Sequence, residues 1–124
     1  MKTKELPYNL ILTIVTAFYD RATQDPMIGF HFRHIDDFDE HLPRIADFWY
    51  LQLHGNLKKK IDPPFDLLST HKPLGLKRGQ IDRWVVLFNE NLDLFLNDEN
   101  NNSFQLWKSK VLHFSTILKK HLLP

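Results

Sequence analysis

Asp37-Phe38-Asp39-Glu40-His41-Leu42-Pro43-Arg44-Ile45-Ala46-Asp47-Phe48-Trp49-Tyr50-Leu51-Gln52-Leu53-His54-Gly55 is the stretch on which the fold turns. Phe38, His41, Ile45, Phe48, Trp49 and Gln52 recur at helical spacing, so the segment reads as an amphipathic helix from about Asp37 to Leu53 with His41 facing inward. Asp36, Asp37, Asp39 and Glu40 put negative charge where the helix dipole favours it, and Gly55 makes a good stop. Pro43 removes one backbone donor inside the pattern and is expected to bend the helix or tighten its first turn.

The same period extends in both directions. Upstream, Leu10, Ile11, Ile14, Val15, Phe18 and Ala22 form a stripe over about Asn9–Thr23, with Asn9 as the expected cap and Asp25-Pro26 as the end. Downstream, Ile81, Trp84, Val85, Phe88, Leu92 and Phe95 mark a helix over about Gln80–Leu96. After a polar break, Asn97 to Asn102, a last helix over about Ser103–Leu122 carries Phe104, Trp107, Val111, Phe114, Leu118 and Leu122. Between Asn56 and Gln80 the order is weaker: Lys58-Lys59-Lys60 reads as a solvated charge run and Pro63-Pro64 as an extended stretch. Phe65 to His71 leaves room for at most two helical turns before Lys72-Pro73. No segment alternates like a strand, so the fold class is all-α.

Length and composition narrow the function. A chain of 124 residues is expected to form a single domain, 1–124, with a core of its own. A net charge of +1 offers no footprint for nucleic acid. With no cysteine, disulfides, thiolate zinc, iron–sulfur clusters and covalent haem attachment are all excluded. The apolar run Tyr8 to Tyr19 faintly imitates a signal peptide, but Glu5 and Pro7 interrupt it and it is too short to span a bilayer. The expectation is a core helix of a cytoplasmic protein without a membrane partner.

Two histidines stand out in this aromatic-rich chain of ten Phe, three Trp and three Tyr. His71 lies in Ser69-Thr70-His71-Lys72-Pro73-Leu74, where the proline turns the chain away and leaves last-turn carbonyls free to orient an imidazole. His41 points where a cofactor would lie. Together they suggest a pocket for a flat iron cofactor, with His71 on the metal and His41 on the opposite face. Against this stands the plainer reading of a surface histidine and a satisfied core histidine. Tyr19 and Trp84 are aromatic bodies with polar tips; buried, each must find a partner, and that partner is either backbone or a small ligand. Phe30 and Phe32, after Gly29, could wedge against a flat ring or simply fill the core. Arg44 is placed to reach an acidic group at a pocket rim or to remain solvated. A non-haem metal site around Glu40, His41 and Asp47 ranks last, because the ligand spacing is wrong for one helix face.

Taken together, these residues resemble a group III truncated haemoglobin. The resemblance runs from about Phe18 to Leu96 and is weaker in the last helix. It is carried by Phe18-Tyr19, Asp25-Pro26, Gly29-x-x-Phe32, His41-Leu42-Pro43-Arg44 through Phe48-Trp49, His71-x-Pro73-Leu74 and Asp82-Arg83-Trp84-x-x-Leu87-Phe88. Members often carry a Tyr-x-Gly-x-Pro-like segment before the proximal histidine; here Lys60 to Thr70 reads differently. The resemblance implies a globin-like two-on-two helical sandwich around non-covalent haem b. It implies His71 as the proximal iron ligand, Tyr19 and Trp84 as hydrogen-bond donors to the bound ligand, His41 as a distal gate and Phe32 packed on the haem. Arg44, Ile45, Trp49, Trp84 and Phe88 complete the expected cofactor contacts.

The expected activity is binding of oxygen or a related small ligand. Each hydrogen bond to charge is worth roughly 1.5–3 kcal/mol, so two donors would hold oxygen too long for simple delivery. That leans towards oxygen, nitric oxide or peroxide chemistry of a dioxygenase- or peroxidase-like kind, served by a reductase. The alternative is an all-α interaction module without cofactor, in which every histidine is incidental.

Overall fold

A computed structural model describes residues 6–32, 38–55, 71 and 75–123. The lysine run 58–60, Pro63-Pro64, the sequence from Lys60 to Thr70 and Pro73-Leu74 lie outside the described residues. The fold is all-α. Helix α1 is Tyr8–Ala22, a short 3-10 turn covers Gly29–His31, α2 is Phe38–His54, α3 is Arg78–Phe95 and α4 is Asn101–Leu122. Helix α1 lies against α2 and α3, α3 lies against α4, and α2 also touches α4.

Helix α1 begins one residue before the expected Asn9. Pro7, extended at φ −69° and ψ 151°, serves as the cap residue, and its carbonyl accepts the N–H groups of Leu10 and Ile11, both at 3.1 Å. Proline suits this place because a helix start needs no donor there. Ile11, Ile14, Val15, Phe18 and Ala22 are all fully buried, so one stripe of α1 serves the core throughout its length.

Helix α2 runs through Pro43, its sixth residue. The Tyr8 hydroxyl donates to the Pro43 carbonyl at 3.3 Å, and His54 donates from Nε2 to the Leu6 carbonyl at 2.9 Å. These two bonds fasten α2 to the chain entering α1. Gly55 ends α2 as expected: its φ of +78° is open to glycine at little cost, and its N–H reaches the Leu51 carbonyl at 2.8 Å.

The last two helices differ from the sequence pattern in detail. Helix α4 begins at Asn101, earlier than Ser103, because Asn97 and Asn100 exchange side chain–backbone bonds of 2.8 and 2.9 Å. Asn100 also donates to the Phe95 carbonyl at 2.8 Å, so the polar break is an ordered corner. On α3, Leu87 and Asn91 are buried although they lie off the expected stripe. Asn91 donates from Nδ2 to the Ile14 carbonyl at 3.0 Å, a polar tie between α3 and α1 inside the core.

Aromatic rings from the four described α-helices meet at the centre. Phe88 lies 4.7 Å from Phe18, 5.3 Å from Trp49 and 5.7 Å from Trp107, centroid to centroid. Tilted contacts of this kind add to burial because ring edges and faces carry opposite charge.

Candidate functional site

The site starts from a turn. After α1, the Asp25 side chain folds back over the chain that follows it. Its Oδ2 accepts the N–H of Met27 at 3.0 Å and of Ile28 at 3.1 Å, while its backbone carbonyl accepts the N–H of Gly29 at 2.8 Å. Aspartate before proline is built for such a turn, because its short side chain mimics a backbone acceptor. The turn leads directly into Gly29–His31 and delivers His31 and Phe32.

The second wall is the start of α3. Arg83 donates to Asp25 Oδ1 from Nε at 3.0 Å and from Nη2 at 2.8 Å. Withdrawal from water alone would raise the Asp25 pKa. The bonds from Arg83 and from the Met27 and Ile28 N–H groups outweigh it and hold the carboxyl below its ordinary value. The Asp25 hydrogen bonds in turn hold the Arg83 guanidinium above its usual range.

One turn earlier on α3, Gln80 Oε1 accepts the Lys77 N–H at 3.0 Å and also lies 3.2 Å from His31 Nε2. Because Lys77 has already defined that oxygen as an acceptor, the His31 proton sits on Nε2. His31 is 6% exposed, so this bond satisfies a nitrogen that burial would otherwise leave costly.

Between these walls lies a pocket of about 380 Å³, open solvent included, lined by Ile28, His31, Phe32, His71, Leu76, Gln80, Ile81, Trp84 and Leu118. Its lining is mostly apolar with a few polar groups, the character of small-molecule sites. Of the residues singled out from sequence, the fold brings three together here, His71, Phe32 and Trp84, from three distant parts of the chain. His71 is partly buried with helical backbone.

The remaining expected residues do not line this pocket. Tyr19 stands one ring away, edge-on to Phe32 with centroids 5.2 Å apart and edge-on to Phe18 at 5.5 Å. Burial pushes its phenol well above the usual tyrosine value, so it remains a hydroxyl donor. Trp49 and Phe88 belong to the central ring cluster, and Phe88 joins that cluster to Trp84 at 5.7 Å. Ile45 is core as well. His41 is partly buried on α2. Arg44 donates from Nη2 to Glu40 Oε1 at 2.5 Å, and its buried Nε has no partner among the described residues. Phe30 is 50% exposed and fills no core.

His31, Gln80 and the Asp25–Arg83 pair went unread in the sequence. Gln80 carried a faint signal, lying four residues before Trp84 and so on the same helix face. The ion pair carried none, since its partners are 58 positions apart.

The donor set suits a haem. An iron porphyrin asks the protein for one neutral imidazole, flat apolar contacts and a donor near the ligand. His71, Phe32 and Trp84 supply these types in one pocket. Among the described residues no three histidine or acidic side chains stand together as a metal-ion site, and no helix is long and apolar enough to cross a membrane. Set against models of known protein families, curated proteins and solved structures, the chain matches none.

Proposed function

We propose that the protein is a haem protein of the two-on-two globin kind, binding oxygen or a related small ligand. The observation that carries the reading is the meeting of His71, Phe32 and Trp84 in one largely apolar pocket. These are the residues whose sequence context resembles the group III truncated haemoglobins, and nothing in their spacing along the chain obliges them to meet.

A haem b held there non-covalently would supply reversible binding of oxygen, nitric oxide or peroxide, and the redox chemistry that follows from it. The chain's own groups do the rest. His71 offers the imidazole nitrogen. Phe32 packs against a flat face and is backed by Tyr19. Ile28, Leu76, Ile81 and Leu118 would give the bound group apolar contacts. Trp84 brings an indole N–H, a donor that is worth more in a dry site than in water. Tyr19, held as a protonated phenol, is a second donor one ring behind Phe32. His41 keeps the role of gate on the α2 side. Two donors favour retention of a polar ligand over its delivery, so the activity is oxygen, nitric oxide or peroxide turnover with a reductase as partner, in the cytoplasm.

Titration of the purified protein with haemin decides the matter. A Soret band at one equivalent in the wild type, lost in His71→Ala, is expected. A wild type that takes up no haemin would overturn the proposal and favour a cofactor-free helical module.

A further inference from the structure

The two oxygens of Asp25 divide their work. Oδ2 holds the turn that delivers Phe32, through Met27 and Ile28, and Oδ1 holds Arg83, the residue immediately before Trp84. Phe32 and Trp84 both line the pocket, whereas neither Asp25 nor Arg83 does. A second link, His31 to Gln80 at 3.2 Å, joins the same two segments one helical turn away. Two cross-links between two short segments remove the hinge that one alone would leave.

We infer that Asp25 and Arg83 are positioning residues that set the separation of Phe32 and Trp84 from outside the pocket, and thereby its fit to a flat aromatic ligand. The fork of Arg83 matters as much as its charge, because both Nε and Nη2 are aimed at one oxygen. Asp25 is 5% exposed, so the carboxylate has little water to fall back on when Arg83 is lost. The pocket wall carrying Phe32 then keeps only the His31–Gln80 link to α3 and regains a hinge, while the central ring cluster is left intact. The choice of haem as the flat ligand rests on the function proposed above; the positioning role does not.

The test therefore has one readout without ligand and one with haemin. The chain has three tryptophans, at 49, 84 and 107. Incorporation of 5-fluorotryptophan gives each a fluorine NMR signal, assigned by single Trp→Phe variants. In Asp25→Asn, which keeps an oxygen for Met27 and Ile28, and in Arg83→Gln, the Trp84 signal is expected to shift or broaden while those of Trp49 and Trp107 stay. Arg83→Lys, with charge but no fork, is expected to move it in the same direction. The double variant is expected to move it no further than either single one. An unmoved Trp84 signal, or three signals moving together, would overturn the inference.

With haemin, Asp25→Asn and Arg83→Gln are expected to bind about ten- to a hundredfold more weakly than wild type, the usual effect of removing an outer supporting group. Ile11→Val, a loss of one buried methylene on α1, controls for general loosening. Variants that bind haemin as tightly as wild type, or no more weakly than Ile11→Val, would refute the positioning of the pocket. A wild type without haemin uptake whose Trp84 signal still responds refutes the haem reading alone and leaves the positioning role standing.

Discussion

The ring of Tyr19 meets the ring of Phe32 edge-on, with centroids 5.2 Å apart, and so ties the end of α1 to a wall of the pocket. Burial raises the Tyr19 phenol above its ordinary value, and burial followed by the nearby charge of Asp47 raises that of Tyr8. A phenol whose pKa is raised by folding contributes stability below its unfolded value of about 10 and loses it as the pH climbs through the folded value. Alkaline spectrophotometric titration is therefore expected to show two phenols, Tyr8 and Tyr19, ionising late and together with unfolding. Tyr19→Phe should remove one of them and extend the folded range upward. A Tyr19 phenol that ionises near pH 10 in the folded protein contradicts this.

Trp84 lines the pocket, and the haem proposal makes its indole N–H a donor to the bound ligand, so its loss should then show in ligand release. One charge-assisted hydrogen bond is worth roughly 1.5–3 kcal/mol, and Trp84→Phe should speed oxygen release from the haem-loaded protein about ten- to a hundredfold. Tyr19→Phe should act in the same direction, and more weakly, given its place behind Phe32. Stopped-flow release into a scavenger measures both. If neither variant releases faster, these residues are not the ligand's donors.

His71 is only partly buried, so on the haem proposal its removal should abolish haem binding and spare the fold. His71→Gly is expected to keep the helical circular dichroism of the wild type, to lose the Soret band, and to recover it when free imidazole is added. Retention of unchanged iron coordination in this variant would remove His71 from the site.

Asp25 ties its own turn to α3 with its carboxylate in the charged form. Its pKa is lowered in the folded state, so the stabilisation is present above the unfolded value of about 3.9 and fades as the pH falls through the lower folded value. Urea denaturation should find Asp25→Asn less stable than wild type by a constant margin above about pH 5, with the two curves converging below pH 4. A margin independent of pH would mean that the charge on Asp25 does not act on stability.

Phe88 touches Phe18, Trp49, Trp84 and Trp107, so it joins the core to the pocket. Phe88→Ala should cost about 3–5 kcal/mol of stability, whereas the exposed Leu112→Ser should stay within about 0.5 kcal/mol of wild type. Equal midpoints in denaturant for the two variants would contradict the placement of Phe88.

Helical period alone was enough to find all four long helices, because each keeps one apolar stripe that water excludes. It located their ends only to within a residue or two. Pro7 capping α1 and Asn100 ordering the corner before α4 are local hydrogen-bond choices among several that the residues allow. Period also put Ile45, Trp49 and Phe88 on inward faces. It could not tell a core position from a pocket wall, since both reward the same apolar side chain. The resemblance of scattered motifs singled out His71, Phe32 and Trp84, and these share a pocket. Tyr19, His41 and Arg44, picked out by the same reasoning, stand outside that pocket's lining.

What the sequence determined by itself was therefore the all-α class, the inward stripes and the chemical types available to a site. What only the tertiary structure decided was which of those types meet. Asp25 and Arg83 lie 58 positions apart and become partners because α3 packs against α1 and the turn that follows it. Local spacing carries no record of such a meeting. The contact depends on how whole helices pack, and packing is set by the summed burial of many side chains rather than by the two that pair.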